Sequence, residues 1–147
     1  MTIPENDPII VAPTPTPFDS EDRVDHDALS RNVERWLKTP LSGFVLGTGI
    51  GEELALSDGE KVSIVETVSR AHGGERFVIA GIDSPSSTET LRLAEAYAGA
   101  GADMVRVRIP RPISEAEIEA YFLRVTLGSP VPVVVIHQTL TGVPAAR

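Results

Sequence analysis

Two arginines in an apolar strand are the residues of this sequence with the clearest chemical use. Arg106 and Arg108 alternate with aliphatic residues over 105–109, and alternate residues of a strand point to the same face. A charge buried without a partner is costly, so this face must supply an anionic group. The pattern indicates a site for a substrate carboxylate or phosphate, with Arg111 nearby.

The arginines also have an explanation without a ligand. Three carboxylates are expected at the same edge of the sheet and would pair with them inside the protein: Glu52, Glu53 and Asp83. Replacing Arg108 with Met separates the two hypotheses. Weaker ligand binding supports the anionic site, whereas a change in stability with binding unchanged supports internal pairing.

Histidine is the other residue type here that can exchange a proton near neutral pH. His137 directly follows the apolar run 131–136, where it is expected either to act as an acid or base or to form an ordinary hydrogen bond. The three histidines are not spaced as a metal cluster. The sequence has no cysteine, which excludes thiolate nucleophiles and Cys-based zinc sites.

The elements that position these residues are five short apolar runs separated by helical patterns. Most runs lack strict alternation, which is typical of strands covered on both faces. They are 9–12, 43–46, 77–80, 104–107 and 131–136. A first helix is predicted over about 25–38, and three more begin at serines with the Ser-x-x-Glu form, which at Ser57 and Ser114 indicates a capping box. Those serines are Ser57, Ser86 or Ser87, and Ser114.

Such alternation predicts an α/β fold with a parallel sheet and right-handed crossovers. A (β/α)₈ barrel takes ~250 residues, so five strands in 147 residues match a TIM barrel truncated after about the fifth strand. The alternative is an open five-stranded sheet, which should end with a further helix; residues 138–147 are too few for one. We expect residues 1–147 to be the N-terminal part of one TIM-barrel domain, without a second domain.

Charge and hydropathy exclude several classes of partner. The net charge of −8 argues against nucleic acid, which needs a basic face. No apolar run approaches the ~18 residues of a membrane span, and the N-terminus has no signal-peptide pattern, so a cytoplasmic protein is expected.

The two lysines and two of the histidines fall at helix ends, where surface side chains are expected. They are Lys38, Lys61, His26 and His72.

Six segments follow one another as the motifs of one protein family do. They are 11–18 with 24–29, 47–57, 78–81 with 87–89, 99–103, Pro110, and 132–137 with 141–142. These segments resemble, in order, the "T-P-F", "G-T-T-G-E", "viaG...sT.E", "a..GAD", "P-Y-Y" and "PvilYN...TG" motifs of the dihydrodipicolinate synthase / N-acetylneuraminate lyase family. Its members are class I aldolases and lyases, in which a barrel lysine forms a Schiff base with pyruvate or another 2-oxo acid.

The resemblance implies a 2-oxo acid or another anionic metabolite as ligand and no cofactor or metal, since the protonated imine is itself the electron sink. It also implies that the loop after the second strand holds the substrate carboxylate. The residues of that loop are Thr48, Gly49, Ile50, Gly51 and Glu52. The backbone N–H groups of the Gly51–Glu52 turn are the donors that this loop retains.

Several positions that carry the family's chemistry hold other residues here. The family lysine lies on the sixth strand, which the chain does not contain. The positions of the relay tyrosine, the threonine pair and the "P-Y-Y" tyrosines hold Ile136, Gly49, Ile50, Arg111 and Pro112. The family has apolar residues where Arg106 and Arg108 stand. The chain alone is therefore expected to be inactive.

Three functional hypotheses follow. The first is a truncated or frameshifted aldolase or lyase of this family. The second is a divergent member that binds an anionic molecule through the arginines and His137. The third is a non-catalytic half-barrel that works by association. Because a half-barrel leaves its first and last strands as open edges, we expect poor solubility, loose packing or a homo-oligomer.

Overall fold

The computed structural model describes residues 8–108 and 114–136, in which five parallel strands alternate with four α-helices. The strands are β1 (Val11–Pro13), β2 (Gly43–Leu46), β3 (Phe77–Ile82), β4 (Met104–Arg108) and β5 (Val133–Ile136). The helices are α1 (His26–Trp36), α2 (Asp58–His72), α3 (Ser87–Gly99) and α4 (Glu115–Gly128). The sheet order is β1-β2-β3-β4-β5, so each crossover leads to the adjacent strand, as in a barrel.

The helices begin where their side chains can cap the first turn. Ser57 accepts a hydrogen bond from Glu60 N at 3.3 Å, and Glu60 Oε2 accepts one from Ser57 N at 2.8 Å. The same reciprocal capping box starts α4 at Ser114, and Ser86 caps α3 by accepting from Glu89 N. These contacts satisfy backbone donors that the helix leaves unpaired. The predicted serine starts are therefore confirmed, with Ser86 rather than Ser87 capping α3.

The two faces of the sheet differ in what covers them. Alternate strand residues pack against the helices in one apolar core, which includes Phe44, Val78, Ala80, Val105 and Val107. The intervening positions face the other way, and we call that side the inner face because it surrounds the interior of a complete barrel. Arg106 and Arg108 lie on the inner face, since Val105 and Val107 are in the helix-side core.

The outer strands of the sheet are β1 and β5. Each pairs with one neighbour within the described residues. Ile9 and Ile10 beside β1 and Val135 in β5 are exposed apolar residues. Open, apolar strand edges favour pairing with another chain, so self-association stays a prediction. Light scattering checks it, and a stable, folded monomer would count against it.

The prediction that His72 lies at the surface is wrong, because the residue is only 4% exposed. Its Nδ1 accepts hydrogen bonds from Gly74 N at 3.1 Å and Arg76 N at 3.4 Å, and its ring centroid lies 6.3 Å from that of Phe44. The imidazole therefore supports the turn between α2 and β3. Both hydrogen bonds require Nδ1 to be unprotonated.

Burial lowers the pKa of His72 below its ordinary value, although the nearby Asp103 carboxylate opposes this. As the pH falls, the unfolded chain takes up this proton first. The stability that the neutral ring contributes is complete above about pH 6.5 and is lost as the pH falls towards the folded pKa. We expect urea unfolding to show a larger loss of stability from about pH 7 to pH 5 in the native chain than in His72→Asn, which keeps an acceptor for the two N–H groups. Equal pH dependence in the two proteins would contradict this role.

Candidate functional site

The loop after β2 uses its own backbone donors. Gly51 N donates to Thr48 O at 2.9 Å, and Glu52 N donates to Gly49 O at 3.3 Å. These are the N–H groups expected to hold a carboxylate, and a ligand would reach them only if this 3₁₀ turn opened. Thr48 Oγ1, in contrast, is buried and has no hydrogen-bond partner among the described residues.

The same loop is fixed against the end of β1. Thr16 Oγ1 donates to Gly51 O at 2.8 Å, and a Cβ at Gly51 would lie 2.9 Å from Thr14 O. Ile50 and Glu52 are exposed, and Glu52 has a left-handed φ of 55°. The loop therefore lies at the carboxyl ends of β1 and β2. We call this edge of the sheet the rim, and it is where TIM barrels carry their active sites.

Arg106 and Arg108 are the third and the last residue of β4, at the end of the strand that meets this rim. In the sheet register Arg106 is opposite Gly81 of β3, and Arg108 is opposite Ile136 of β5. Arg106 is the deeper of the two, with 10% of its side chain exposed against 25% for Arg108. Arg108 thus neighbours the strand position at which the family resemblance places the relay tyrosine.

A buried carboxylate, that of Glu53, contacts both arginines. Its side chain is 7% exposed; Oε2 lies 3.5 Å from Arg106 Nη2, and Oε1 accepts a hydrogen bond from Arg108 Nη2. The same Arg108 nitrogen donates to Asp83 Oδ2, whose side chain is 39% exposed. Internal ion pairing is therefore present in the structure. It involves two of the three carboxylates that the sequence offered.

Gly81 provides the space in which Arg106 lies. A Cβ at Gly81 would collide with the carbonyl oxygens of Leu46 and Gly47 and with the Arg106 guanidinium. Arg106 Nη2 donates to Gly47 O at 2.7 Å. A glycine within a strand often marks such a close approach. Here it lets an arginine of β4 cross β3 and reach the loop after β2.

The arginine cluster carries unsatisfied donors. Burial lowers the pKa of Arg106 below its ordinary value, and the charge of Glu53 opposes this. The Nε atoms of Arg106 and Arg108 are both buried without a hydrogen-bond partner in the part of the chain that the structure describes. Buried polar atoms are normally paired, by protein groups or by ordered water. With Thr48 Oγ1 beside Gly47, this rim offers groups that match the oxygen atoms of an anion.

A cavity of about 240 Å³ opens beside the cluster. Its polar lining includes Glu53, Asp58, Lys61, Asp83, Ser84 and Tyr97. The expectation that Lys61 is a solvated surface residue is therefore wrong: 23% of its side chain is exposed, and Nζ lies 3.8 Å from Asp58 Oδ1. Lys38 is exposed, as predicted. The two acids of the cluster, Glu53 and Asp83, and one of the two lysines thus border the same space, which neither Arg106 nor Arg108 lines.

Two residues predicted for the site, His137 and Arg111, lie outside the described residues, and their roles stay predictions. Within 8–108 and 114–136, no group of three histidine or acidic side chains is placed to hold a metal ion. No helix in those ranges is long and apolar enough to cross a membrane.

The sequence did not distinguish Glu53 from its neighbour Glu52 as the arginine partner. The structure separates them because Glu52 takes the left-handed conformation and is exposed, whereas Glu53 begins the next short turn and is buried. Glu52 follows Gly51, which packs closely against the backbone of Thr14, just after β1. This packing could not be inferred from spacing alone.

Known proteins share this fold and match most of this chain at 25–34% identity. The model of the dihydrodipicolinate synthetase family matches residues 7–144. The 4-hydroxy-tetrahydrodipicolinate synthase 1 of Streptomyces coelicolor is 34% identical over 121 residues, which are 80% of this chain and 39% of that protein. A solved dihydrodipicolinate synthase structure superposes with a TM-score of 0.84 and 28% identity over 92% of this chain and 48% of its own. YagE, a prophage protein of E. coli K12 solved in complex with pyruvate, superposes with a TM-score of 0.83 and 25% identity. The match covers 91% of this chain and 46% of the YagE chain.

The chain spans less than half the length of these relatives. Its five consecutive strand units correspond to part of an eight-stranded barrel, and the predicted TIM-barrel architecture of these units is confirmed. The family match covers nearly all of the chain, including the loop after β2 and the strand with the arginines. The chain belongs to the dihydrodipicolinate synthetase family, whose members include aldolases and lyases.

Proposed function

We propose that the chain forms the anion-binding side of a Schiff-base aldolase or lyase acting on pyruvate or another 2-oxo acid. In this chemistry an amine attacks the substrate carbonyl and water leaves. The protonated imine then accepts the electron pair of the bond that breaks. The described strands bind and orient the substrate, whereas the amine that attacks its carbonyl belongs to a residue outside these strands. Family membership and the relative bound to pyruvate support this assignment.

The observation that carries the proposal is the arginine pair on the inner face. Arg106 and Arg108 stand at the carboxyl end of β4, 25% of the Arg108 side chain is exposed, and Arg108 is opposite the relay-tyrosine position in the register. Guanidinium groups bind carboxylates by charge-assisted hydrogen bonds. Since the amides of the Gly51–Glu52 turn are already bonded, the arginines are the strongest donors at this rim for a 2-oxo acid.

The contribution of Arg108 can be measured as a change in pyruvate affinity. A hydrogen bond to a charged group contributes about 1.5–3 kcal/mol, so Arg108→Met should weaken pyruvate binding roughly tenfold or more. NMR titration of the 147-residue chain would report both the affinity and the amides that shift.

The matched control is Arg70→Met. Arg70 is an exposed arginine on α2 that pairs with Glu66 at 2.8 Å, away from the inner face. Its replacement should leave pyruvate affinity unchanged. A folded Arg108→Met chain that binds pyruvate as well as the native chain would overturn the assignment of this arginine to the substrate site.

A further inference from the structure

We propose that the outward side of α4 is an interaction surface, on which the same helix of a second copy of this chain packs in antiparallel orientation. Four exposed apolar residues define this surface, and we call them the α4 stripe: Ala116, Ala120, Leu123 and Leu127. The stripe lies on the helix side of the sheet, whereas the arginines lie on the inner face. The inference therefore does not depend on the proposed function.

The α4 stripe is both apolar and exposed. Leu123 is 60% and Leu127 79% exposed, and the two alanines are exposed as well. Spacings of four, three and four residues place all of them on one side of an α-helix. Apolar residues scattered singly over a surface are ordinary, whereas a contiguous apolar patch commonly marks an interaction site.

The stripe faces away from the protein's own core. Tyr121 and Val125, which are 5% and 0% exposed, are the residues of α4 that pack into the core. Leu123 and Leu127 each follow one of them by two positions, which turns a helix by about 200°. Neighbouring helices in the outer ring of a barrel lie beside one another, so they contact the flanks of α4 and leave the stripe open.

One flank of the stripe carries complementary charges. Glu117 and Arg124 are exposed and stand seven residues apart, which places them on the same flank of the helix. When two identical helices pack antiparallel about a twofold axis, this flank of one copy meets the same flank of the other. The glutamate of each copy then lies near the arginine of its partner. The charges therefore favour a second copy of this chain over an unrelated partner.

The sizes of the stripe residues are also self-complementary. With the twofold axis near Tyr121, Leu123 packs against Ala120 of the second copy and Leu127 against Ala116, and each contact occurs twice. Placing large residues against small ones allows two helices to approach to about 8–10 Å between their axes. Because a single helix pair buries a small area, the dimer should be weak and should depend on protein concentration.

Sedimentation equilibrium of the 147-residue chain tests the surface. We expect a monomer–dimer equilibrium that is weakened about tenfold or more when Leu123→Glu and Leu127→Glu are combined, because association would bury unpaired charges. The matched control is Val135→Glu, at a residue of β5 that is 46% exposed. This variant places a charge at the open strand edge and should leave the α4 dimer unchanged.

Disulfide cross-linking tests the register, since the chain has no cysteine of its own. Mixing Ala120→Cys chains with Leu123→Cys chains under oxidising conditions should give more of the mixed dimer than of either homodimer. A circular dichroism spectrum like that of the native chain establishes that each variant is folded.

Three results would overturn the inference. One is a chain that stays monomeric at every concentration. Another is association that Val135→Glu abolishes and the two α4 substitutions leave intact, which would assign it to the strand edge. The third is cross-linking with no preference for the mixed dimer, which would contradict the antiparallel register.

Discussion

Replacing Glu53 with Gln is expected to lower the free energy of unfolding by about 3–5 kcal/mol, the typical cost of removing one partner from a buried ion pair. The carboxylate is nearly inaccessible and contacts both Arg106 and Arg108. A neutral amide leaves the deeper arginine without its counter-charge. In the unfolded chain water solvates both guanidinium groups, so the loss falls on the folded state.

An exposed pair provides the control for this measurement. Glu66 and Arg70 lie 2.8 Å apart on the surface of α2, where such pairs contribute up to about 1 kcal/mol. Urea unfolding should therefore show a much smaller effect for Glu66→Gln than for Glu53→Gln. Similar small losses in both variants would mean that the inner-face cluster is not buried in solution.

The buried cluster also makes a prediction for a combined variant. When a buried ion pair is replaced as a whole by apolar residues, stability often recovers or rises. Glu53→Leu together with Arg106→Met and Arg108→Met should therefore be more stable than Glu53→Gln alone. The combined variant should nevertheless lose pyruvate binding, which would show that the arginines are kept for the ligand rather than for the fold.

The order of the elements followed from local signals. Ser57 with Glu60 and Ser114 with Glu117 are capping boxes in the sequence and in the structure, because a cap depends on residues three apart. The apolar runs became parallel strands, and alternate residues of the three middle strands are buried in the core against the helices. That the arginines share a face followed from strand alternation alone.

The partners of these arginines could not be derived in the same way. Glu53 and Asp83 come from two different loops, separated in sequence from Arg108 by 55 and 25 positions. Their approach depends on the missing side chain at Gly81, which admits Arg106 across β3. Local pattern gives the face of a charged residue, whereas its counter-charge depends on how distant segments pack.

The exposure of two side chains was predicted wrongly for the same physical reason. His72 and Lys61 stand at helix ends, where polar residues are usually exposed. His72 is buried because the following glycine turn folds its backbone N–H groups onto the ring. Lys61 is half-buried because the loop after β2 and the loop after β3 form a cavity over the start of α2.

The second large expected effect is the absence of imine chemistry in this chain. Its two lysines are Lys38 and Lys61. Lys38 is exposed just after the end of α1, and it is not among the residues that line the rim cavity. Lys61 borders the cavity, but its Nζ lies 3.8 Å from the Asp58 carboxylate. An ammonium group held as an ion pair does not attack a carbonyl carbon, since the nucleophile is the neutral amine.

We therefore expect binding and catalysis to be separate: the described strands bind the 2-oxo acid, and the lysine that forms the imine is neither Lys38 nor Lys61. The most direct test is to incubate the 147-residue chain with pyruvate and sodium cyanoborohydride and to map adducts by peptide mass spectrometry, with a dihydrodipicolinate synthase as positive control. We expect pyruvate to bind the chain while neither lysine acquires a reduced adduct. A stoichiometric adduct on Lys61 that disappears in Lys61→Arg would contradict the account and make this residue the catalytic lysine.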